Sequence, residues 1–257
     1  MLSPQEVLAV FRNSGGSDMD YLQAHLPRFL NTYQRFNSTW DRNRGVRMLD
    51  IGAHWLHQAL VFRLGGYAVT AADVPVTLEL ESVRSLAARH GIELLSYTDL
   101  SAAGCLAALA DDSQDVILMA EIIEHITFNP VAMWKEVYRV LAPGGRLIVT
   151  TPNYYWSGGR AWHWKRFLSG FGGGIPTTEI LRIHTMGHHW KEFSLRELQH
   201  YFCLLSADFN CVKSDYTSDA ADKSSVWQKP LPWLRQGLHL EVEVATKNLG
   251  IVVQPGW

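Results

Sequence analysis

The chain is short of several features that would assign it to a class at once. Its three cysteines show no CxxC spacing, so we expect free thiols in a reducing compartment rather than a disulfide framework. No uncharged stretch approaches the roughly 20 apolar residues of a membrane helix, and Glu6 and Arg12 make the N-terminus a poor signal peptide. With 23 Lys and Arg against 25 Asp and Glu, no overall basic charge attracts nucleic acid. We therefore predict a cytoplasmic protein without a membrane span, for which nucleic acid is a disfavoured partner but not an excluded one.

What the chain does have is a regular alternation of strand and helix patterns from Arg47 onward. Such an alternation predicts a parallel sheet with helices on both of its faces. Two further strand patterns, near residues 207–216 and 238–244, would complete the sheet, one of them antiparallel. The predicted fold class is therefore α/β, a Rossmann-like seven-stranded, mostly parallel sheet.

The remaining segments suggest how the chain is organised. Residues 1–45 read as an amphipathic helical cap that Gly15 and Gly16 divide in two, and residues 46–257 as the main domain. A helix is expected over about 77–90, and another after Asn129. Residues 154–192 have no clear period and form a predicted insert after the fifth strand, before a helix that opens with the capping box of Ser194 and Glu197.

Acidic residues and a glycine lie where two predicted strands end. Asp50 and Gly52 close the first strand, and Asp73 closes the second, where a carboxylate can accept hydrogen bonds from both ribose hydroxyls of a nucleotide cofactor. A dinucleotide site requires a GxGxxG run, whereas Gly52 is followed by His54 and Leu56 at the later glycine positions. The pattern thus favours a nucleotide cofactor other than NAD.

Read in order, these strand ends, the Asp99-Leu100 pair and the turn before the fifth strand resemble the class I S-adenosylmethionine (SAM)-dependent methyltransferases. The resemblance covers about the middle half of the chain. That family commonly has glycine where His54 and Leu56 stand, so either the loop takes a different path here or His54 and Trp55 pack against the cofactor. The resemblance implies SAM as cofactor, with Asp99 reading the adenine unless it merely caps a turn. The implied cofactor-binding residues are Asp50, Gly52, His54, Asp73, Asp99, Leu100 and Ala120.

A second group of residues follows the fourth predicted strand. Glu121, Glu124 and His125 have the i, i+3, i+4 spacing that would place them on one face of a helical turn. This ExxEH, with His189 in a later HxxE, resembles the small-RNA 3′-terminal 2′-O-methyltransferases, and the ExxEH also resembles the ubiquinone-pathway O-methyltransferases. The resemblance implies a divalent ion, Mg, Mn, Fe or Zn, held by Glu121, Glu124, His125 and His189. The alternatives are that His125 acts as a lone general base, or that these residues only pack.

The predicted insert carries a local excess of positive charge. Residues 155–191 hold five Lys and Arg against one Glu, interleaved with tryptophans, and this composition suits a polar, anionic acceptor such as a sugar, glycan or nucleotide-linked compound. Alternatively, the tryptophans only pack the insert onto the sheet. The candidate acceptor-binding residues are Arg160, Trp162, Trp164, Arg166, Arg182 and His188.

Together these features predict a SAM-dependent O-methyltransferase, with polysaccharide biosynthesis as the expected setting. Methyl transfer to a hydroxyl of a sugar, glycan or other polar acceptor is the leading hypothesis, with Glu121, Glu124 and His125 as the catalytic residues. The alternatives are RNA 3′-end 2′-O-methylation, small-molecule methylation with His125 as base, and a catalytically silent partner subunit of the same fold.

Overall fold

The computed structural model describes residues 2–154, 168, 189–217 and 239–246. In chain order, these form α1 (Pro4–Asn13), α2 (Met19–Asn37), β1 (Arg47–Ile51), α3 (His57–Leu64), β2 (Ala68–Asp73), α4 (Pro75–Leu78), α5 (Glu81–His90), β3 (Glu93–Ser96), β4 (Gln114–Ala120), α6 (Val131–Val140), β5 (Leu141–Pro152), α7 (Leu195–Leu205), β6 (Asn210–Thr217) and β7 (His239–Ala245), with short 3-10 turns at Arg42–Arg44 and Ile123–His125. No helix within these ranges is both long and apolar enough to cross a membrane.

The strands form one seven-stranded sheet in the order β3-β2-β1-β4-β5-β7-β6. Strands β1 to β5 are parallel, whereas β7 runs antiparallel to both β5 and β6. The predicted fold class, including the antiparallel strand, is confirmed. The strand order reverses between β1 and β4, and in open α/β sheets ligands bind at the carboxyl ends of the strands beside such a switch point.

The sheet is buried on both faces, which explains the near-continuous apolar runs in β1 and β4. In β7 the predicted alternation places Leu240, Val242 and Val244 in the core on one face. The other face carries His239, Glu241 and Glu243, which are also buried. The sequence pattern did not indicate this second, polar face.

The N-terminal helices pack as the amphipathic pattern predicts. Gly15, with φ 72°, lies between α1 and α2, as the glycine pair indicated. On α2, Leu22, Leu26 and Phe36 share one hydrophobic cluster with residues of β1, β2 and α3, so this helix pair is built into the same core as the sheet.

Three local expectations need correction. The helix expected over 77–90 is two helices, α4 and α5, because Leu80 between them has an extended backbone with ψ 130°. Asn129 does accept a hydrogen bond from the Val131 N–H, at 3.1 Å, although α6 begins after the proline rather than including it. The Pro-Gly-Gly turn lies inside β5 rather than before it, because the ladder with β4 continues past an irregularity in register.

Candidate cofactor and metal site

The loop after β1 is shaped by backbone conformations that ordinary residues rarely adopt. Gly52 has φ 78°, and a Cβ atom there would collide with Ile122 Cδ1. His54 and Leu56 have φ 46° and 63°, so both positions where the resembled family commonly has glycine are left-handed here without glycine. Each such residue costs roughly 1 kcal/mol. Leu56 is fully buried, and its packing offsets the strain.

Two carboxylates lie side by side behind this loop. Asp73, the last residue of β2, accepts hydrogen bonds from the backbone N–H groups of His54 at 2.7 Å and Val74 at 2.6 Å. It therefore holds the loop in place at the edge where a ribose would bind. Asp50 in β1 is buried, and burial together with the nearby Asp73 raises its pKa to about 7.

The raised pKa of Asp50 gives a testable pH dependence of stability. Because the folded protein binds this proton more tightly than the unfolded chain, the stabilisation is full below the unfolded pKa, about 4, and is lost as pH rises through about 7. Asp50→Asn, a neutral isostere, should raise the free energy of unfolding by about 4 kcal/mol at pH 8 and by almost nothing at about pH 3. Urea unfolding of the SAM-free protein at both pH values measures this, and an equal effect at both would contradict it.

Aromatic rings from α2 lie against one side of the loop after β1. Tyr21 lies edge-on to Trp55, with ring centroids 6.0 Å apart, and is stacked with His57 at 5.6 Å. His54 contacts Trp55 at 3.7 Å between centroids. Burial lowers the pKa of His57 to about 4, although the ring bonds the carbonyl of Ser17. The loop is thus bounded by rings from α2 and from itself.

The adenine-side candidates Asp99 and Leu100 follow β3, and Ala120 is the last residue of β4. Asp99 is exposed, and its Oδ1 accepts hydrogen bonds from the Ser101 backbone N–H at 2.7 Å and the Ser101 hydroxyl at 2.6 Å. Leu100 packs against the core cluster below β4, and Ala120 ends β4 beside the loop. Tyr97 was not foreseen: it follows β3, is partly buried, and its pKa is raised by burial and by Asp73.

Glu121 does not join the predicted helical face. It follows β4 with φ 57°, a left-handed conformation, and the 3-10 turn begins only after it, so the i, i+3, i+4 argument is wrong for this residue. Its Oε1 is 2.9 Å from Arg28 Nη1 and accepts a 2.9 Å hydrogen bond from the Thr150 hydroxyl, while its Oε2 lies 2.8 Å from His239 Nδ1. Burial alone would raise its pKa, but Arg28 and His239 outweigh burial and lower it to about 2.

The other three predicted metal ligands do converge. Glu124, His125 and His189 each offer a ligand atom, and these atoms lie within 4.8 Å of one another. Glu124 Oε2 accepts a 2.9 Å hydrogen bond from Thr151, whereas its buried Oε1 has no hydrogen-bond partner in the described part of the chain. Burial and the charge of Glu121 raise the pKa of Glu124 well above its usual value. A buried, incompletely satisfied carboxylate beside two imidazoles is a donor set suited to a divalent cation.

Backbone contacts bring His189 to this place from far along the chain. The backbone N–H of Trp190 donates a 2.7 Å hydrogen bond to the carbonyl of Glu124. His189 Nδ1 is 3.3 Å from Glu192 Oε1, an arrangement that orients the ring and leaves Nε2 as the atom for a metal. The HxxE motif therefore has a physical role in which its glutamate supports its histidine.

The predicted acceptor-binding residues lie outside the described residues. They are Arg160, Trp162, Trp164, Arg166, Arg182 and His188. Their assignment stays a prediction.

Comparisons with known proteins agree with this geometry. Residues 49–149 match the model of a family described as "Methyltransferase domain". The chain is 32% identical over 154 residues to the ubiquinone biosynthesis O-methyltransferase of Xanthomonas oryzae pv. oryzae (strain PXO99A), an alignment covering 58% of this chain and 56% of that protein. The chain thus spans about half the length of this curated relative.

Solved structures show the same fold at low identity. A methyltransferase from Haloferax volcanii, in complex with the Trm112 methyltransferase activator, aligns with TM-score 0.57 and 16% identity over 86% of this chain and 91% of that chain. The 1,6-didemethyltoxoflavin-N1-methyltransferase of Burkholderia thailandensis, with S-adenosylhomocysteine bound, aligns with TM-score 0.55 and 18% identity. That alignment covers 96% of this chain and 92% of that chain. Together with the sheet order, these likenesses show a class I SAM-dependent methyltransferase fold, within which residues 49–149 match the methyltransferase-domain family.

Proposed function

We propose that this class I domain is a cytoplasmic O-methyltransferase, which transfers the methyl group of SAM to a hydroxyl of a sugar, glycan or other polar acceptor. The observation that carries the proposal is the convergence of Glu124, His125 and His189 at the carboxyl edge of the sheet. The name of the Xanthomonas relative, an O-methyltransferase, supports oxygen as the accepting atom. Polysaccharide biosynthesis is the setting that we propose for such an acceptor.

The reaction is a direct displacement. The acceptor oxygen forms a bond to the methyl carbon while the carbon–sulfur bond breaks and its electron pair stays on sulfur. S-adenosylhomocysteine leaves, and the hydroxyl proton is released to solvent. Asp73 and the Gly52 loop would hold the cofactor, and alignment of the two reactants supplies much of the rate. A hydroxyl is a poor nucleophile until its proton is removed, so the site also needs an activating group.

Glu124, His125 and His189 would hold a divalent ion that acidifies the acceptor hydroxyl when it is bound. Thr151 fixes the Glu124 carboxylate and Glu192 orients His189, so both ligands have supporting hydrogen bonds. Mixed carboxylate and imidazole donors suit Mn, Fe or Zn, and also Mg if water completes its shell. Glu121 is committed to Arg28 and His239 and stands outside this ligand group.

Two other acceptors have a specific observation in their favour. The name of the Xanthomonas relative favours a hydroxyl in ubiquinone biosynthesis. The three-ligand group together with the HxxE support favours an RNA 3′ end, which presents two neighbouring hydroxyls to one ion. For the leading proposal, the insert cations Arg160, Arg166 and Arg182 would attract an anionic acceptor, with Trp162, Trp164 and His188 beside it.

The test follows methyl transfer from SAM carrying a labelled methyl group. Nucleotide sugars, catechols and a short RNA are offered in turn to protein dialysed against EDTA, with and without added Mn²⁺ or Mg²⁺. We expect methyl transfer to nucleotide sugars. Its rate should fall roughly 100-fold in EDTA and recover when the ion is added. Transfer to RNA or catechol alone would replace the acceptor, and full activity in EDTA would leave His125 as a general base. No transfer to any acceptor, with intact SAM binding, would favour a silent partner subunit.

A matched pair of variants separates the metal from the fold. His189→Ala should abolish Mn²⁺ binding in calorimetry while leaving SAM affinity within about threefold, because His189 contacts His125 and Glu192, which are not residues of the loop after β1. His200→Ala, on the exposed side of α7, should change neither. Unaltered Mn²⁺ binding in His189→Ala would remove this residue from the ligand group.

A further inference from the structure

Helix α2 packs against the sheet through a buried polar face that has no part in the proposed methyl transfer. Along α2, Arg28, Thr32 and Arg35 recur at i, i+4 and i+7 and so face the same side. They meet the polar face of β7. Arg28 Nη1 lies 3.1 Å from His239 Nδ1, the Thr32 hydroxyl donates a 2.6 Å hydrogen bond to Glu241, and Arg35 Nε lies 3.6 Å from Glu241.

One end of this polar interface reaches the cofactor edge. Glu121 follows β4 directly, and the side chain of its neighbour Ile122 fills the space in front of Gly52, so Glu121 lies beside the β1 loop at the switch point. In the ion pair, the Arg28 side chain is 4% exposed and that of Glu121 is 17% exposed. The carboxylate is therefore the more accessible partner of the pair, and the guanidinium is the buried one.

The position of Glu121 is strained and held from three sides. A left-handed non-glycine backbone costs about 1 kcal/mol and persists where its surroundings fix it. Arg28 of α2, Thr150 of β5 and His239 of β7 all contact its two oxygens. A buried carboxylate keeps its charge only when a cation or several donors compensate for lost hydration.

We propose that Arg28 is a positioning residue of the cofactor site, which holds Glu121 charged and facing the sulfonium of bound SAM. The consequence is a preference of the site for SAM over S-adenosylhomocysteine. This inference rests on the proposed function in one respect, that SAM binds at this edge; it needs neither the metal nor any particular acceptor.

The two ligands form a natural pair of probes. They share adenosine and the amino-acid end, but SAM carries a positive sulfonium where S-adenosylhomocysteine has a neutral thioether. The ratio of their dissociation constants therefore reports the local electrostatic potential, whereas general damage to the pocket weakens both equally. A single charge in a partly solvated site should change the ratio by about three- to tenfold.

Calorimetric titration of both ligands into the wild type and four variants provides the test. Glu121→Gln should lower the preference for SAM about three- to tenfold, since it leaves the Arg28 charge uncompensated. Arg28→Met should also lower it, because a largely buried carboxylate without its cation takes up a proton and no longer attracts the sulfonium. Added to Glu121→Gln, Arg28→Met should restore part of the preference, since the uncompensated guanidinium is then gone. Arg28→Lys should keep the wild-type ratio.

A control from the same interface makes the result specific. Thr32→Val removes a buried hydrogen bond one turn along α2, and should lower stability without altering the ligand ratio. An unaltered or increased SAM preference in both Arg28→Met and Glu121→Gln would overturn the inference, as would strictly additive effects in the double variant. If Arg28→Met does not fold, the ratio in Glu121→Gln and Arg28→Lys decides. Failure of the wild type to bind either ligand would refute the proposed function itself.

Discussion

Replacing Asp73 by alanine should weaken SAM binding by at least about 100-fold, because two charge-assisted hydrogen bonds to the ribose hydroxyls would be lost, each worth about 1.5–3 kcal/mol. The loop would suffer as well, since Asp73 holds the N–H of His54 at 2.7 Å. S-adenosylhomocysteine should lose affinity to the same degree, because it has the same ribose. Isothermal calorimetry with both ligands measures the effect, and NADH should show no binding to the wild type.

Glu93→Gln is the matched control for Asp73. Glu93 begins the neighbouring strand β3, at the opposite end of that strand from the residue that pairs with Asp73. It is exposed, and its carboxylate accepts a 3.1 Å hydrogen bond from Thr70. We expect its SAM affinity to stay within twofold of the wild type. A dissociation constant within threefold of the wild type in Asp73→Ala, or tight NADH binding, would contradict the cofactor assignment.

The sheet and the cofactor edge could be predicted because their signals are local. Apolar runs that end in Asp50 and Asp73 mark strand ends, and the carboxyl ends of parallel strands meet at one edge of the sheet. The capping box of Ser194 and Glu197 likewise fixed the start of α7, and both of its hydrogen bonds are present. Each of these features depends on neighbours a few residues away.

The environment of Glu121 could not be predicted, because it depends on residues far apart in the chain. Arg28 is on α2 and His239 is on β7, and nothing in the sequence of either segment indicates that the two come together. The i, i+3, i+4 spacing also predicted a right-handed helical turn at Glu121, whose φ of 57° is incompatible with such a turn. The burial of the polar face of β7 could not be predicted for a related reason. Alternating charged residues on a strand normally indicate a solvent-exposed face, whereas here α2 covers them.

Replacing Glu124 by glutamine should act in opposite directions on activity and stability. In the metal-free protein, Glu124 is fully buried, its Oε1 has no hydrogen-bond partner among the described residues, and Glu121 adds a second negative charge nearby. A neutral amide is less costly to bury, so Glu124→Gln should raise the free energy of unfolding in EDTA at pH 8 by about 1 kcal/mol. Activity should fall at least about 100-fold, because a carboxylate ligand is lost.

Thr151→Val separates these two effects of Glu124. It removes the hydroxyl that donates to Oε2 at 2.9 Å, and leaves both carboxylate oxygens buried with fewer partners. It should therefore lower the free energy of unfolding by about 1–3 kcal/mol, while keeping the ligand and most of the Mn²⁺ affinity. Urea unfolding and Mn²⁺ calorimetry on the two variants give the comparison. A Glu124→Gln protein that is less stable than the wild type and still binds Mn²⁺ would show that this carboxylate has a structural role. Replacing a metal ligand whose burial destabilises the metal-free fold should instead increase the free energy of unfolding.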